Sequence, residues 1–174
     1  MQVASDVKKI SPSYFLTDEV SELSGRTLEL ERNPTVLLVW AANRFNRNAS
    51  RFYQEAFGIS AMDWRMLVML CKEPGIAVSA ASLATGYDKG AVSRSLRIIE
   101  QMGLAEGRAE GTNDRNKFWY LTRKGRQLHD KVLAAALERQ KQLLTGMSAE
   151  DVVIFNALLQ KFMTNLERLE ADLP

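Results

Sequence analysis

The sequence predicts a mainly α-helical chain with one small β-hairpin, and three observations point that way. Apolar residues recur at three- and four-residue steps through most of residues 34–172, the spacing of one helix face. The period falls to two in only two short runs, 104–110 and 117–122, separated by turn residues. Capping residues and glycines punctuate the helical stretches where each should begin and end. With 174 residues, 46% apolar and 25% charged, the chain is long enough for a real core.

Residues 1–33 are polar and weakly periodic, with a short helix expected in the stretch SYFLTDEVSELSG. Pro34, after Asn33 as a cap, suits the first turn of a helix that runs to a C-terminal cap at Gly58. Ser60 and Asp63 form a capping box opening a second helix, MDWRMLVMLCK, which Pro74-Gly75 closes. Ser79 begins a short third helix, ended by Gly86. Asp88 caps a fourth, ended by Gly103. In the hairpin, Gly111, Thr112, Asn113 and Asp114 supply turn chemistry; Trp119 and Leu121 face one way, Phe118 and Tyr120 the other. Thr122 caps a long helix stopped at Thr145-Gly146, and a second capping box, Ser148 with Asp151, opens the last one. That helix carries Val152, Phe155, Leu159, Phe162, Leu166 and Leu169 at alternating steps of three and four, a seam that wants a partner and favours association between copies.

Composition excludes several classes. No run of about 18 apolar residues exists, and MQVASDVKK lacks the apolar core of a signal peptide, so no membrane partner and a cytoplasmic location are expected. One cysteine, Cys71, rules out an internal disulfide. One histidine, His129, is too few for a transition-metal centre, and neither a phosphate-binding glycine loop nor an acid–base constellation stands out. We therefore expect no enzyme, no cofactor and no metal. Net charge is only +2, but residues 86–126 hold nine Lys/Arg against five acids, which directs one surface at an anionic partner.

The fourth helix shows what that surface is for. In GYDKGAVSRSLRIIEQMGL, Val92, Leu96, Ile99 and Met102 share one face. Gly90, Arg94, Arg97 and Gln101 fall on the opposite face, with Ser93 at its edge. The order helix, short helix, helix, hairpin is that of a winged helix-turn-helix, whose third helix lies in the DNA major groove. This predicts Ser93, Arg94 and Arg97 as base or phosphate contacts, with Lys89 and Gly90 at a helix N-terminus suited to phosphate. Arg108, Arg115 and Lys117 on the hairpin complete the predicted set, Asp114 orienting Arg115. Standing alone, two exposed arginines would read as a solvated face; the hairpin behind them decides otherwise.

These residues carry a family resemblance. Ser93, Ser95, Leu96 and Glu100 to Leu104, then Arg108, then Asp114-Arg115, then Leu121, Thr122 and Gly125 resemble the MarR family of bacterial transcription regulators over about Val36 to Leu169. The resemblance implies a homodimer built from the first and last helices, bound to a pseudo-palindromic double-stranded operator, usually as a repressor. It implies a dimerisation helix at 34–57, the winged helix-turn-helix at 58–122 and dimerisation helices at 123–174, and the extension at 1–33 is expected to add to the dimer interface. Asn116 departs from the pattern, since many relatives carry a charge there; the long N-terminus is a second departure.

Many relatives bind small aromatic or phenolic acids between the dimer helices and the DNA-binding lobe. Here Trp40, Phe52 and Trp64, with Phe45 and Tyr53, are candidates to line such an effector cleft, and Arg44 and Arg47, with Arg51, to meet a carboxylate. The competing reading is plain: aromatics at helical spacing pack a core and arginines on a face are solvated. A redox-responsive regulator using Cys71 is an alternative, weakened because Cys71 sits amid Leu67, Val68 and Leu70, where a buried thiol is inert. A winged-helix protein-interaction module without specific DNA binding is the other.

Overall fold

A computed structural model describes residues 10–17, 25–109 and 117–172. Its first long helix, α1, spans Pro34–Phe57, with the Asn33 side chain accepting from Thr35 N–H and Val36 N–H. It ends where Gly58 takes a left-handed φ of 68°. Helix α2 (Ala61–Lys72) opens on the expected capping box: Ser60 Oγ accepts from Asp63 N–H at 3.0 Å and Asp63 Oδ2 from Ser60 N–H at 2.9 Å. Helix α3 is Val78–Thr85, one residue earlier than Ser79, and begins without a side-chain cap. Helix α4 is Lys89–Gln101, with Asp88 Oδ1 accepting from Ala91 N–H at 2.8 Å. Helices α5 (Arg123–Leu143) and α6 (Ala149–Ala171) start at Thr122 and at the Ser148/Asp151 capping box, as expected.

Two expectations need correction. The sheet has three strands rather than two. Strand β1 is Ile76–Ala77, β2 is Ala105–Ala109 and β3 is Lys117–Leu121, in the antiparallel order β1-β3-β2. Ile76 lies opposite Trp119, and Gly107 lies opposite Trp119 on the other side. Two residues are too few to show a period, which is why β1 is invisible in sequence. Nor is SYFLTDEVSELSG a helix over its first residues. Pro12–Phe15 form a single 3₁₀ turn, after which Leu16 bridges Leu28 in antiparallel pairing; residues 18–24 lie outside those described. The hairpin turn, 110–116, also lies outside them.

The core sits under α4. Val92, Leu96 and Ile99 are fully enclosed, packed with Met66, Leu67 and Leu70 of α2, Ile76, Trp119 and Val132 of α5. Each such side chain contributes about 1.5–3 kcal/mol on leaving water. Met102 is only half-buried at the edge of this cluster. The helix therefore has one orientation in the lobe, and its other face is committed outward.

A second set of contacts fixes where α4 ends. Thr122 Oγ1 donates to the Gly103 carbonyl at 2.8 Å and accepts from Gly125 N–H at 3.0 Å. Thr122 N–H donates to the Leu104 carbonyl at 3.1 Å, and Lys124 Nζ donates to that of Met102 at 2.7 Å. Gly125 lies so close that a Cβ there would stand 1.9 Å from the Leu104 carbonyl oxygen.

By contrast, no residue of α6 is buried. Phe155, Leu166 and Leu169 of the seam are exposed, and so are Ile154, Leu158 and Met163 beside it. At 3.6 residues per turn, the apolar side chains from Ile154 round to Met163 sweep about half the circumference, wider than a two-helix seam. Among the described residues, no helix is long and apolar enough to cross a membrane.

The contact at Gly125 generates a prediction. Gly125→Ala forces backbone apart and is expected to destabilise the chain by about 3 kcal/mol. Gly103→Ala meets open space and bears only its φ of 70°, a cost of roughly 1–2 kcal/mol. Urea denaturation of the two variants against the parent chain checks the ordering.

Candidate nucleic-acid interface

Helix α4 presents Lys89, Gly90, Arg94 and Arg97 to solvent, with Ser93 half-buried at the edge. Lys89, Arg94 and Arg97 form no hydrogen bond or ion pair among the described residues. At the N-terminus, a side chain at Gly90 would stand 2.9 Å from Asp88 Oδ1 and 3.2 Å from Arg94 Nη1. Glycine thus leaves room for the capping carboxylate and the guanidinium together.

Beside this face lies a cleft of about 810 Å³. Ala77, Val78 and Ser79 form one end, Lys89, Ser93, Arg97, Glu100 and Gln101 one wall, and Lys117, Phe118 and Trp119 of β3 the other. Four sequence-predicted residues meet there: Lys89, Ser93, Arg97 and Lys117. Arg94 projects from the same helix outside the cleft. Arg108 is not part of it. Its Nε donates to Glu106 Oε1 at 3.1 Å, and its guanidinium lies 4.5 Å from the Tyr120 ring centroid, so it is engaged along the wing. Arg115 lies outside the described residues.

Two carboxylates that sequence reasoning gave no positional role hold the recognition helix. Glu100 Oε1 accepts from Gly107 N–H at 3.1 Å, tying α4 to the first wing strand. Asp63 is buried at 4% exposure; beyond its cap bond, its Oδ1 accepts from Ser95 Oγ at 2.6 Å, and Ser95 is buried too. The capping pattern revealed Asp63, but its second bond spans 32 residues and leaves no local trace. Trp119 Nε1 is enclosed with no hydrogen-bond partner among the described residues.

The residues expected to line an effector cleft are dispersed within one chain. Trp64 is buried, its ring 6.0 Å from Tyr53 and 5.4 Å from His129. Phe52 packs edge-on against Tyr53 and Phe57, with the Arg139 guanidinium 4.2 Å from its ring centroid. Trp40, Arg44 and Arg47 lie on the exposed surface of α1, and Arg51 pairs with Glu55 at 2.8 Å. His129 is buried, its Nδ1 2.9 Å from Asp130 Oδ1. Cys71 is half-buried rather than enclosed as expected, and Arg126 of α5 donates to its Sγ.

A family model described as MarR family matches residues 57–115, from the last residue of α1 to beyond strand β2. The crystal structure of a MarR/EmrR family transcriptional regulator from Acinetobacter sp. ADP1 superposes with a TM-score of 0.75 at 27% identity, over 81% of this chain and 99% of that one. Over residues 57–115 and in its fold, the chain is similar to the MarR family. Transcriptional regulator HosA of Escherichia coli O127:H6 (strain E2348/69 / EPEC) is 26% identical over 123 residues, 68% of this chain and 88% of that protein. The S. aureus MepR–DNA complex shares the fold, with a TM-score of 0.67 at 21% identity over 79% of this chain and 99% of that one. The relatives this chain is similar to are transcriptional regulators.

The Asp63–Ser95 bond yields a stability prediction. Ser95→Ala leaves a buried carboxylate oxygen without its donor, at a cost of about 1–3 kcal/mol. Chemical denaturation of Ser95→Ala and of the half-buried Ser93→Ala, whose hydroxyl makes no hydrogen bond among the described residues, should show that loss in the first and less than about 0.5 kcal/mol in the second.

Proposed function

We propose that the chain is a homodimeric, sequence-specific DNA-binding repressor whose α4 enters the major groove of a pseudo-palindromic operator. The observation carrying this reading is the division of α4. One face is locked in the core, and the other holds three cations that have no partner among the described residues, beside a polar cleft that ends on the wing. Arg94 and Arg97 reach base edges or phosphate, Ser93 lies at the groove edge, and Lys89 with Gly90 brings the helix N-terminus to a phosphate. Lys117 takes the backbone beside the wing, and Arg115 at the hairpin tip reaches the minor groove. Arg108 neutralises phosphate from the outer strand.

The dimer is built from α1, α5 and α6, consistent with the unburied apolar half of α6. It sets the two recognition helices about one DNA turn apart, roughly 34–36 Å. A small aromatic or acidic effector releases the operator. Its site forms between the helical region and the lobe, with the exposed Trp40, Arg44 and Arg47 toward it and Phe52 and Trp64 as the packed floor. Binding there favours a dimer whose lobes no longer match the groove.

Fluorescence anisotropy with the chain's own upstream intergenic DNA and a scrambled duplex, each at two salt concentrations, tests the reading. Arg94→Ala and Arg97→Ala should each cost about 1–3 kcal/mol, roughly 5- to 150-fold, on the native fragment. Lys117→Ala should lower the salt slope by about 1 while weakening both duplexes alike. Equal affinity of the parent chain for both duplexes, unchanged by Arg97→Ala, overturns it.

A further inference from the structure

Helix α4 is entered through the short turn Gly86-Tyr87-Asp88, which joins it to α3. Local bonds hold both ends of that turn. Ser82 Oγ of α3 donates to the Tyr87 carbonyl at 2.6 Å, and Asp88 Oδ1 accepts from Ala91 N–H at 2.8 Å. The Tyr87 side chain is half-buried and packs against the core of the lobe. Arg65 of α2, half-buried too, lies over it, with the guanidinium carbon 5.4 Å from the ring centroid. Arg65 Nη2 also donates to Asn46 Oδ1 of α1 at 2.8 Å, a bond that spans 19 residues. One side chain of α2 therefore holds α1 at one end and, at the other, the residue before the cap of α4.

Resting on the reading that α4 enters DNA, the geometry assigns Arg65 a positioning role: it fixes Tyr87, and through Tyr87 the seat of the first turn of α4. Three observations support the assignment. First, the residue type fits. A guanidinium is planar, so its face lies on a ring while its N–H groups donate in the plane; a lysine ammonium has no such plane. Second, Arg65 is engaged at face and edge, whereas Arg94 and Arg97 make no hydrogen bond or ion pair among the described residues. Its bonds are to protein. Third, it acts where the other ties do not. Asp63 holds α4 in its middle through Ser95, and Glu100 holds its end to the wing. Arg65 acts at the entry, beside Lys89 and Gly90.

The entry is where placement counts. A helix N-terminus reaches a phosphate through its own backbone N–H groups, which cannot extend toward the ligand as a long side chain can. Groups of that kind have to be held within about 0.5 Å of the productive position by their surroundings. Asp88 cannot secure the seat, because its bond to Ala91 N–H lies within the first turn and moves with it. Fixation has to come from another element, and Arg65 brings it from α2, steadied by Asn46 of α1. Removing the guanidinium leaves every proposed DNA contact in the chain and loosens the turn that aims them, so binding loses preorganisation rather than a contact.

The test is fluorescence anisotropy of the full chain on its upstream fragment, over a series of salt concentrations, at a temperature where circular dichroism shows every variant folded. Arg65→Lys keeps the charge and loses the plane; it is expected to weaken binding about fivefold or more while keeping the parent's salt slope. Tyr87→Leu is expected to match it, and Tyr87→Phe, which keeps the ring, to bind within about twofold of the parent. Adding Asn46→Ala to Arg65→Lys is expected to cost less than about twofold further, because the two act through one contact. A packing role alone shifts the urea midpoint of Arg65→Lys and leaves its affinity within about twofold of the parent, which overturns the assignment. A direct phosphate contact overturns it as well, read as near-parental binding by Arg65→Lys with a salt slope lower by about 1 in Arg65→Gln. Equal affinity of the parent for native and scrambled duplexes, unchanged by Arg94→Ala, overturns the reading of α4 itself and the assignment with it.

Discussion

A missing side chain at Gly125 sets the geometry of the whole lobe. Because no Cβ intervenes, the first turn of α5 rests directly on the Leu104 carbonyl, where α4 has ended and β2 is about to begin. Thr122 and Lys124 bond the carbonyls of Met102, Gly103 and Leu104 around that contact. Helix ends normally leave carbonyls unsatisfied. Here they are met by the N-terminal turn of the next helix. The exit of α4 and the entry of α5 are consequently one joint, and α4 cannot change its angle to α5 without breaking several hydrogen bonds together. Any force on the long helix reaches the recognition helix as a rigid displacement.

The polar groups around α4 divide into those that hold it and those that are left over. Asp63 grips it through Ser95 from beneath, Asp88 caps its start, and Glu100 ties it to the wing. Arg94 and Arg97 make no hydrogen bond or ion pair among the described residues. An exposed charge without a partner adds almost nothing to folding, so the stability of the lobe supplies no reason for arginine at either position. Both guanidinium groups are exposed, so an anion can reach them. Arg108 shows the opposite condition, already paired with Glu106 and stacked on Tyr120. A cation so engaged gains less from DNA than one with no other contact.

What could be read from sequence follows the range of each interaction. Caps act over three residues, so Asn33, Ser60/Asp63, Asp88, Thr122 and Ser148/Asp151 were legible, and with them the order of the helices and the outward face of α4. Contacts between distant segments left no such mark. Strand β1 exists only because β3 pairs with it from 43 residues away. The hydrogen bond that Cys71 Sγ accepts comes from Arg126, 55 residues later. Trp64 and Phe52 have the spacing a ligand cleft would need and equally the spacing of a core. In the folded chain Tyr53 and His129 pack against Trp64, and Arg139 lies over Phe52. Residues Asp63 and Glu100 show a further limit: a pattern locates a residue without revealing its second bond.

The distribution of exposed apolar surface separates two kinds of completeness. Apart from Leu83 and Ile98, every large hydrophobic side chain left exposed lies on the N-terminal arm, on α1, or from the middle of α5 onward. The winged lobe therefore closes its core within one chain, and its internal geometry does not depend on protein concentration. The helical region does not close, and what completes it also sets the distance between two lobes. On the dimer reading, specificity and control reside in different parts: base contacts belong to a lobe that is finished, spacing to an interface that is not. An effector has little leverage on the first, whose core is fully packed. The second is where modest binding energy can shift a geometry, because only a few side chains there are already committed within the chain.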